Sequence, residues 1–221
     1  MSKSVAKGYK GMGMNGPIAA WYTKIREKDL DECRRSALRV NQFLSHFARV
    51  LEIAPGPGFM AIELARLGDC EVTGVDISDS FVHIASEKAQ RAGARVNFRQ
   101  GDAAALPFPD ETFDLTYCVA AFKNFSRPVQ AIAEMYRVLK PGGTALIYDL
   151  RPDVTDETIA SHVRSMGLSR INSMITAYTF RHMLVKRAHS KERLREMAAA
   201  TPFNVCEIRE EPMGYEVVLR K

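Results

Sequence analysis

The sequence predicts an α/β fold, a doubly wound, mostly parallel sheet of seven strands that closes on an antiparallel C-terminal hairpin strand. Three observations carry this expectation. From Arg49 onward, short apolar runs alternate with stretches of helical length, the pattern of buried parallel strands joined by crossover helices. The first of these runs ends in a small-residue turn, Ala54-Pro55-Gly56-Pro57-Gly58, that leads straight into a helical stretch. The last two runs are separated by so few residues that they must pair antiparallel.

Taken in order, residues 1–17 are glycine-rich (Gly8, Gly11, Gly13, Gly16) and read as a mobile arm. A helix is expected over residues 18–47, with Trp21, Ile25, Leu38, Phe43 and Leu44 as its apolar face. Strands follow at 50–53, 71–77, 95–99, 113–119 and 144–150, with helices at 59–67, 80–91 and 129–139 between them. Pro141-Gly142-Gly143 stops the last of these helices. Residues 156–166, 174–185 and 191–200 are expected to be helical, and 205–208 and 215–219 form the closing hairpin. The division this suggests is an arm and helical cap over 1–48 and a main domain over 49–221, with a helical insertion at about 151–189 on the substrate side.

Composition narrows the class. A chain of 221 residues, 46% hydrophobic and 26% charged, has an ordinary globular balance and fits one domain. Cys33, Cys70, Cys118 and Cys206 are scattered, which speaks against a zinc site, a redox dithiol or a disulfide framework. The five histidines show no metal spacing, and no metal is expected. No apolar run approaches the length of a membrane span, and the basic N-terminus is not followed by the apolar stretch of a secretory signal. A cytoplasmic location is the expectation. The net charge of +5 is uneven: residues 1–49 carry 10 Lys/Arg against 4 Asp/Glu, and residues 50–149 carry 9 against 13. A basic arm can steer an anionic partner, although two solvated helical segments are the simpler explanation.

Five elements carry the chemistry. Glu52 stands at the end of the first strand, and the turn after it lets a ligand approach the backbone where a helix start offers free N–H groups. That turn alone is ambiguous, because Gly56 to Ala61 also satisfies the dinucleotide pattern GxGxxG/A, with Asp76 about 20 residues on. Asp76, at the end of the second strand, can accept from both hydroxyls of a ribose. Asp102, in Gln100-Gly101-Asp102-Ala103, can accept from an adenine amino group, and the apolar stretch after it can cover the ring. Phe113 to Ala120 ends beside the topological switch point, and Tyr136-Arg137-Val138-Leu139-Lys140-Pro141-Gly142-Gly143 precedes the fifth strand.

In order and spacing these elements resemble the class I S-adenosylmethionine-dependent methyltransferases with a Rossmann-like fold. The closest likeness is to the ubiquinone/menaquinone-biosynthesis-type (methyltransferase type 11) small-molecule branch. Phe122-Lys123-Asn124-Phe125 and Tyr136 to Gly143 look like that branch's LRN and YRVLKPGG segments. The resemblance implies that Glu52, Ala54, Pro55, Gly56 and Gly58 border the amino-acid part of S-adenosyl-L-methionine. It implies that Asp76 holds the ribose, Ile77 packs on the adenine, and Asp102 with Ala103 recognise its edge. Cys118 and Val119 then run beside the sulfonium, with S-adenosyl-L-homocysteine as product. The family usually has glycine where Ala54 stands.

The resemblance implies methyl transfer to a small-molecule acceptor by in-line displacement, driven mainly by positioning. Tyr9, Trp21, Tyr22, Phe122, Lys123 and Asn124 are the substrate-side candidates, and no residue declares itself as a catalytic base. Competing readings are a non-catalytic regulator or subunit that binds the cofactor, an RNA or protein methyltransferase, and a nicotinamide oxidoreductase. Nucleic acid is the weaker partner, since Ala120-Ala121-Phe122-Lys123 stands where amino-methylating nucleic-acid enzymes carry Asn/Asp-Pro-Pro-Tyr/Phe. A homodimer is compatible with the sequence.

Overall fold

Seven strands lie in one sheet of order β3-β2-β1-β4-β5-β7-β6. They are β1 (Ala48–Ile53), β2 (Cys70–Asp76), β3 (Val96–Gln100), β4 (Phe113–Val119), β5 (Leu139–Leu150), β6 (Val205–Glu210) and β7 (Gly214–Arg220). Six run in one direction, and β7 lies antiparallel between β5 and β6. The computed structural model describes residues 8–10, 13–68 and 70–221, without the side chain of Lys28; the rest of the expected arm lies outside the described residues. The chain winds from β1 outward to β3, then returns to place β4 on the other side of β1. The carboxyl ends of β1 and β4 therefore flank the switch point where open sheets of this kind bind ligands.

Alternation along the strands supplies a core on each face. Leu51, Ile53, Cys118, Val217 and Leu219 pack on one side with α5 (Pro128–Val138) and α8 (Lys191–Ala199). Val50, Val72, Leu115, Tyr117 and Val218 pack on the other with α2 (Leu30–Asn41), α3 (Phe59–Arg66) and α4 (Asp79–Ala92). The insertion, with α6 (Asp156–Ser165) and α7 (Arg170–Thr179), has a small core of its own around Ile159, Val163 and Val185.

Three expectations need correction. The N-terminal helix is two: α1 (Pro17–Arg26) and α2, separated by a tight turn at Glu27–Asp29 where Arg26 bonds Asp29 at 3.1 Å. Its buried face consists of small residues, Ala19, Thr23, Cys33, Ala37 and Val40, while Ile25 and Leu38 stay exposed. Small side chains let these helices lie close to the domain, which the larger ones would prevent. The helix expected at 174–185 starts four residues earlier as α7 and loosens into a wider turn at Phe180–Leu184. Finally, β5 begins at Leu139, so Lys140 to Gly143 form a bulge inside the strand. Gly143 is required there, because a Cβ would sit 2.9 Å from the Lys140 carbonyl and 3.0 Å from that of Asp114.

Candidate active site

The turn after β1 is held by the second strand. Asp76 accepts from the Gly56 N–H through Oδ2 at 2.9 Å and from the Ser78 N–H through Oδ1 at 2.9 Å. One carboxylate thus joins the turn to the start of α4, whose N-cap is Ser78. Gly58 takes φ 79° and passes under Phe98 and Ala85, which a Cβ would approach to 2.7 and 2.8 Å. Gly56 takes φ 54°, and a Cβ there would meet nothing within 4 Å. Gly58 is needed for packing, whereas Gly56 faces open space. Ala54 also adopts a positive φ, 58°, while its N–H donates to the Val75 carbonyl at 2.8 Å. That conformation explains why glycine is the family's usual choice. Ala54→Gly is expected to raise stability by up to about 1 kcal/mol, the relieved strain outweighing the added freedom of the unfolded chain; a denaturant midpoint that falls would contradict this.

Two acids are buried at the crevice. Glu52 accepts from the Tyr117 hydroxyl at 2.9 Å. Burial pushes its carboxyl up to about 8, with the Asp76 charge adding to the rise and the Tyr117 and Ala61 bonds opposing it. Burial likewise pushes Asp76 up to about 6 against its backbone hydrogen bonds. Neither has a cation beside it among the described salt bridges, so the crevice holds concentrated acceptor capacity with no positive partner.

Asp102 begins the loop beyond β3. It accepts from the Ala104 N–H at 2.9 Å and from Arg127 at 2.7 Å. The apolar stretch after it is held by Arg137, which donates to the Leu106 carbonyl at 3.0 Å, the Phe108 carbonyl at 2.8 Å and Asp110 at 2.7 Å. Glu134 pairs with Arg137 and accepts from the Leu106 N–H at 2.7 Å. The Tyr136-to-Gly143 segment therefore acts through Arg137 as a brace for the loop of residues 103–109. Arg137→Ala is expected to lower stability by about 1–3 kcal/mol, since it strands two part-buried carbonyls and the Glu134 carboxylate. Faster amide exchange at Leu106 and Phe108 checks this, and unchanged exchange there contradicts it.

The described part of the arm is tied down across the crevice. Tyr9 bridges Phe125 as a short antiparallel pair, the Lys10 N–H donates to the Asn124 carbonyl at 2.7 Å, and the Ser126 N–H donates to the Gly8 carbonyl at 3.1 Å. Ser78 Oγ donates to the Met14 carbonyl at 2.6 Å. A Cβ on Gly8 would lie 2.6 Å from Ile77 and 2.8 Å from Asp102, so the arm rests directly on those two side chains. Tyr9 is half-buried and its hydroxyl is pushed up mainly by burial, with Tyr22 and Asp76 adding to the rise. Tyr22 packs edge-on against Phe81 of α4, with ring centroids 5.8 Å apart. Trp21 is not brought to this group: between the buried Ala19 and Thr23 it falls on the opposite face of α1, 62% exposed.

On the far side of the crevice, Cys118 is fully buried and burial pushes its thiol well up, which fits a packing residue rather than a nucleophile. Val119 is half-buried, and Ala120 turns the chain out of β4 at φ 57°. Phe122, Lys123 and Asn124 form a buried single turn, not a surface loop. Lys123 pairs with Asp149 at 2.8 Å, and the Asp149 carboxylate also accepts from the Lys123 N–H at 2.7 Å. This fixes the end of β4 to the end of β5. His189 lies across a small cavity from this pair, with Phe122, Leu194 and Tyr215, and its buried Nε2 has no hydrogen-bond partner. Arg127 and His189 have no motif to announce them, and Tyr117 and Arg137, although inside two of the five elements, show their roles only through what they touch.

Comparison with known proteins identifies the family. A family model described as a methyltransferase domain matches residues 51–147. The chain is 35% identical over 211 residues to a demethylmenaquinone methyltransferase from Deinococcus radiodurans, covering 89% of this chain and 86% of that protein. It is 33% identical over 164 residues to the Thermus thermophilus protein of the same name, covering 71% and 74%. Identity to the ubiquinone/menaquinone biosynthesis C-methyltransferase UbiE of Methylobacterium nodulans is 38% over 185 residues, covering 81% of this chain and 64% of that protein. Among solved structures, a Methanococcus maripaludis protein assigned as an S-adenosyl-L-methionine-dependent methyltransferase shares the fold, with a TM-score of 0.77 at 20% identity over 100% of this chain and 97% of that one. The chain belongs to the class I S-adenosylmethionine-dependent methyltransferases of the ubiquinone/menaquinone-biosynthesis type.

Proposed function

We propose that this methyltransferase binds S-adenosylmethionine in the crevice between β1 and β4 and methylates a ring carbon of a small quinone-type acceptor. The observation that carries the cofactor reading is the pair of buried acids, Glu52 and Asp76, beside a glycine whose open side faces the crevice. Such acids await a partner with a positive charge or hydroxyl donors. Glu52 and the backbone of Ala54, Pro55, Gly56 and Gly58 meet the ammonium-bearing end. Asp76 accepts from the ribose, and Ile77, Asp102 and Ala103 receive the adenine. Cys118 and Val119 line the path beside the sulfur. Because Gly8 rests on Ile77 and Asp102, adenine entry displaces the arm at that point, with Tyr9 and Tyr22 at the edge of the opening.

The bound cofactor supplies an already activated methyl group. The chain's own task is therefore to hold the acceptor in line with the methyl–sulfur bond and keep water away, which can contribute roughly 7–11 kcal/mol. The buried turn Phe122–Asn124, fixed through Lys123 to Asp149, forms a rigid wall for the acceptor, and the insertion at about 151–189 closes its outer side. The names of the Deinococcus and Thermus relatives support a demethylated naphthoquinone as acceptor. The test is thermal stabilisation by S-adenosylhomocysteine together with transfer of labelled methyl from S-adenosylmethionine to a short-chain demethylated naphthoquinol. Stabilisation with transfer supports both halves of the reading. Stabilisation without transfer to quinols, phenols, amines, RNA or protein favours a cofactor-binding regulator. Stabilisation by a nicotinamide dinucleotide instead would overturn the cofactor assignment.

A further inference from the structure

Helix α7 buries no residue, yet it carries a regular apolar stripe. Ile171, Met174, Ile175 and Tyr178, spaced i, i+3, i+4 and i+7, are 72%, 74%, 60% and 61% exposed. That spacing normally faces a core. Here the helix meets its own small core through Ala177, with Phe180 just past its end. Tyr178 leans on His182 at 4.4 Å between ring centroids, and Ile171, Met174 and Ile175 point outward with no packing partner among the described residues.

The charge around the stripe is predominantly basic, with Asp156 and Glu157 at the start of α6 as the nearest exposed acids that precede it in the sequence. From Thr158 to Lys191 the sequence holds six Lys/Arg (Arg164, Arg170, Arg181, Lys186, Arg187, Lys191) and no Asp or Glu. Arg181 pairs with Asp156 at the start of α6, and Lys191 pairs with Glu210 of β6. Arg164, Arg170 and Lys186 are exposed and have no carboxylate partner among the described residues. An apolar stripe with an unopposed basic surround is the composition of a helix that lies in the plane of an anionic interface. Tyr178 adds an aromatic ring with a polar tip, suited to the boundary between headgroup and acyl chain.

We propose that α7 docks the protein on an anionic lipid surface, with the stripe entering the headgroup boundary and the arginines and lysines meeting lipid phosphates. A second copy fits this face poorly, because two-fold pairing would bring the unpaired Arg164, Arg170 and Lys186 of each copy toward the same basic groups of the other, with Asp156 already engaged by Arg181. Nucleic acid would use the cations but leaves the Ile and Met stripe without a role. The docking stands on the helix itself and holds whichever acceptor is methylated. It also goes beyond the absence of a membrane-spanning helix among the described residues, since an interfacial helix lies on a bilayer and does not cross it.

The test is co-sedimentation of the full chain with vesicles of phosphatidylcholine alone and of phosphatidylcholine with about one-third phosphatidylglycerol, at low and at high salt. The expected result is binding to the anionic vesicles only, weakened about tenfold or more between 0.05 and 0.5 M salt as screening grows. The double variant Ile171→Ser/Ile175→Ser is expected to lose about tenfold or more in anionic-vesicle binding while keeping its thermal stabilisation by S-adenosylhomocysteine, because both side chains are already exposed. Equal binding to both vesicle types, or full binding by the double variant, would overturn the proposal. So would absence of vesicle binding, whether accompanied by a dimer that the double variant dissociates or by capture on an acidic polypeptide.

Discussion

Gly56→Val is expected to abolish S-adenosylmethionine binding, by about 100-fold or more in affinity, while leaving the protein folded. The two halves of this result have separate causes. A Cβ at Gly56 meets no protein atom within 4 Å, so the side chain clashes with nothing in the core and projects into the crevice. The positive φ of 54° strains a β-branched residue by roughly 1–3 kcal/mol, which a domain of this size survives. The lost affinity, about 2.7 kcal/mol for each hundredfold, arises because valine occupies the space where the ligand must approach the backbone. Gly58→Val is the contrasting variant: its Cβ would meet Phe98 and Ala85 at under 3 Å, so the expected loss is of the fold. Circular dichroism with calorimetric titration by S-adenosylhomocysteine separates the two. A folded Gly56→Val protein that binds within threefold of the parent would remove the turn from the site.

The second large effect is on pH. Glu52 titrates at about 8 in the folded protein and near 4.5 when exposed. Between those values the folded state holds more protons than the unfolded one, so stability falls as pH rises from about 4.5 to 8. Asp76 adds a slope of the same sign from 3.8 to about 6. His189, pushed down by burial, contributes a slope of the opposite sign just below its usual value of 6.5. The difference between the parent and Glu52→Gln therefore isolates the acid. The parent's Tm is expected to fall relative to that of Glu52→Gln as pH goes from 5 to 8. S-adenosylhomocysteine affinity is expected to rise from pH 6 to 8 in the parent, because the ligand's ammonium favours ionised Glu52 and binding expels a proton. Glu52→Gln is expected to bind weakly with little pH dependence. Parallel Tm profiles for the two proteins would contradict this account of Glu52.

What the sequence made legible follows periodicity and local chemistry. Buried strands and the small-residue turn have short-range signatures, so all seven strands and the side of the sheet carrying the crevice could be read before any coordinates. The break at Glu27–Asp29 could not, because Arg26-Glu27-Lys28-Asp29 contains no glycine or proline and each residue tolerates a helix. The buried face of α1 and α2 is hidden from hydrophobic periodicity for a related reason: close packing selects Ala19, Cys33 and Ala37 over the larger Trp21 and Leu38. Contacts between distant residues left no trace in the order of the chain. Tyr117 meets Glu52 across 65 positions, Lys123 meets Asp149 across 26, and Gly8 reaches Ile77 and Asp102 from the arm. The outward stripe of α7 has the same helical period as a core face, and only its exposure distinguishes the two.

The most direct test of the cofactor crevice is a crystal structure of the protein with S-adenosylhomocysteine. The expected density has the amino-acid end against Glu52 and the backbone of 54–58, both ribose hydroxyls on Asp76, and the adenine against Ile77, Asp102 and Ala103, with Gly8 moved off the last group. Ligand density anywhere else, or a crevice in which Gly8 still rests on Ile77 and Asp102 with the ligand bound, would contradict it.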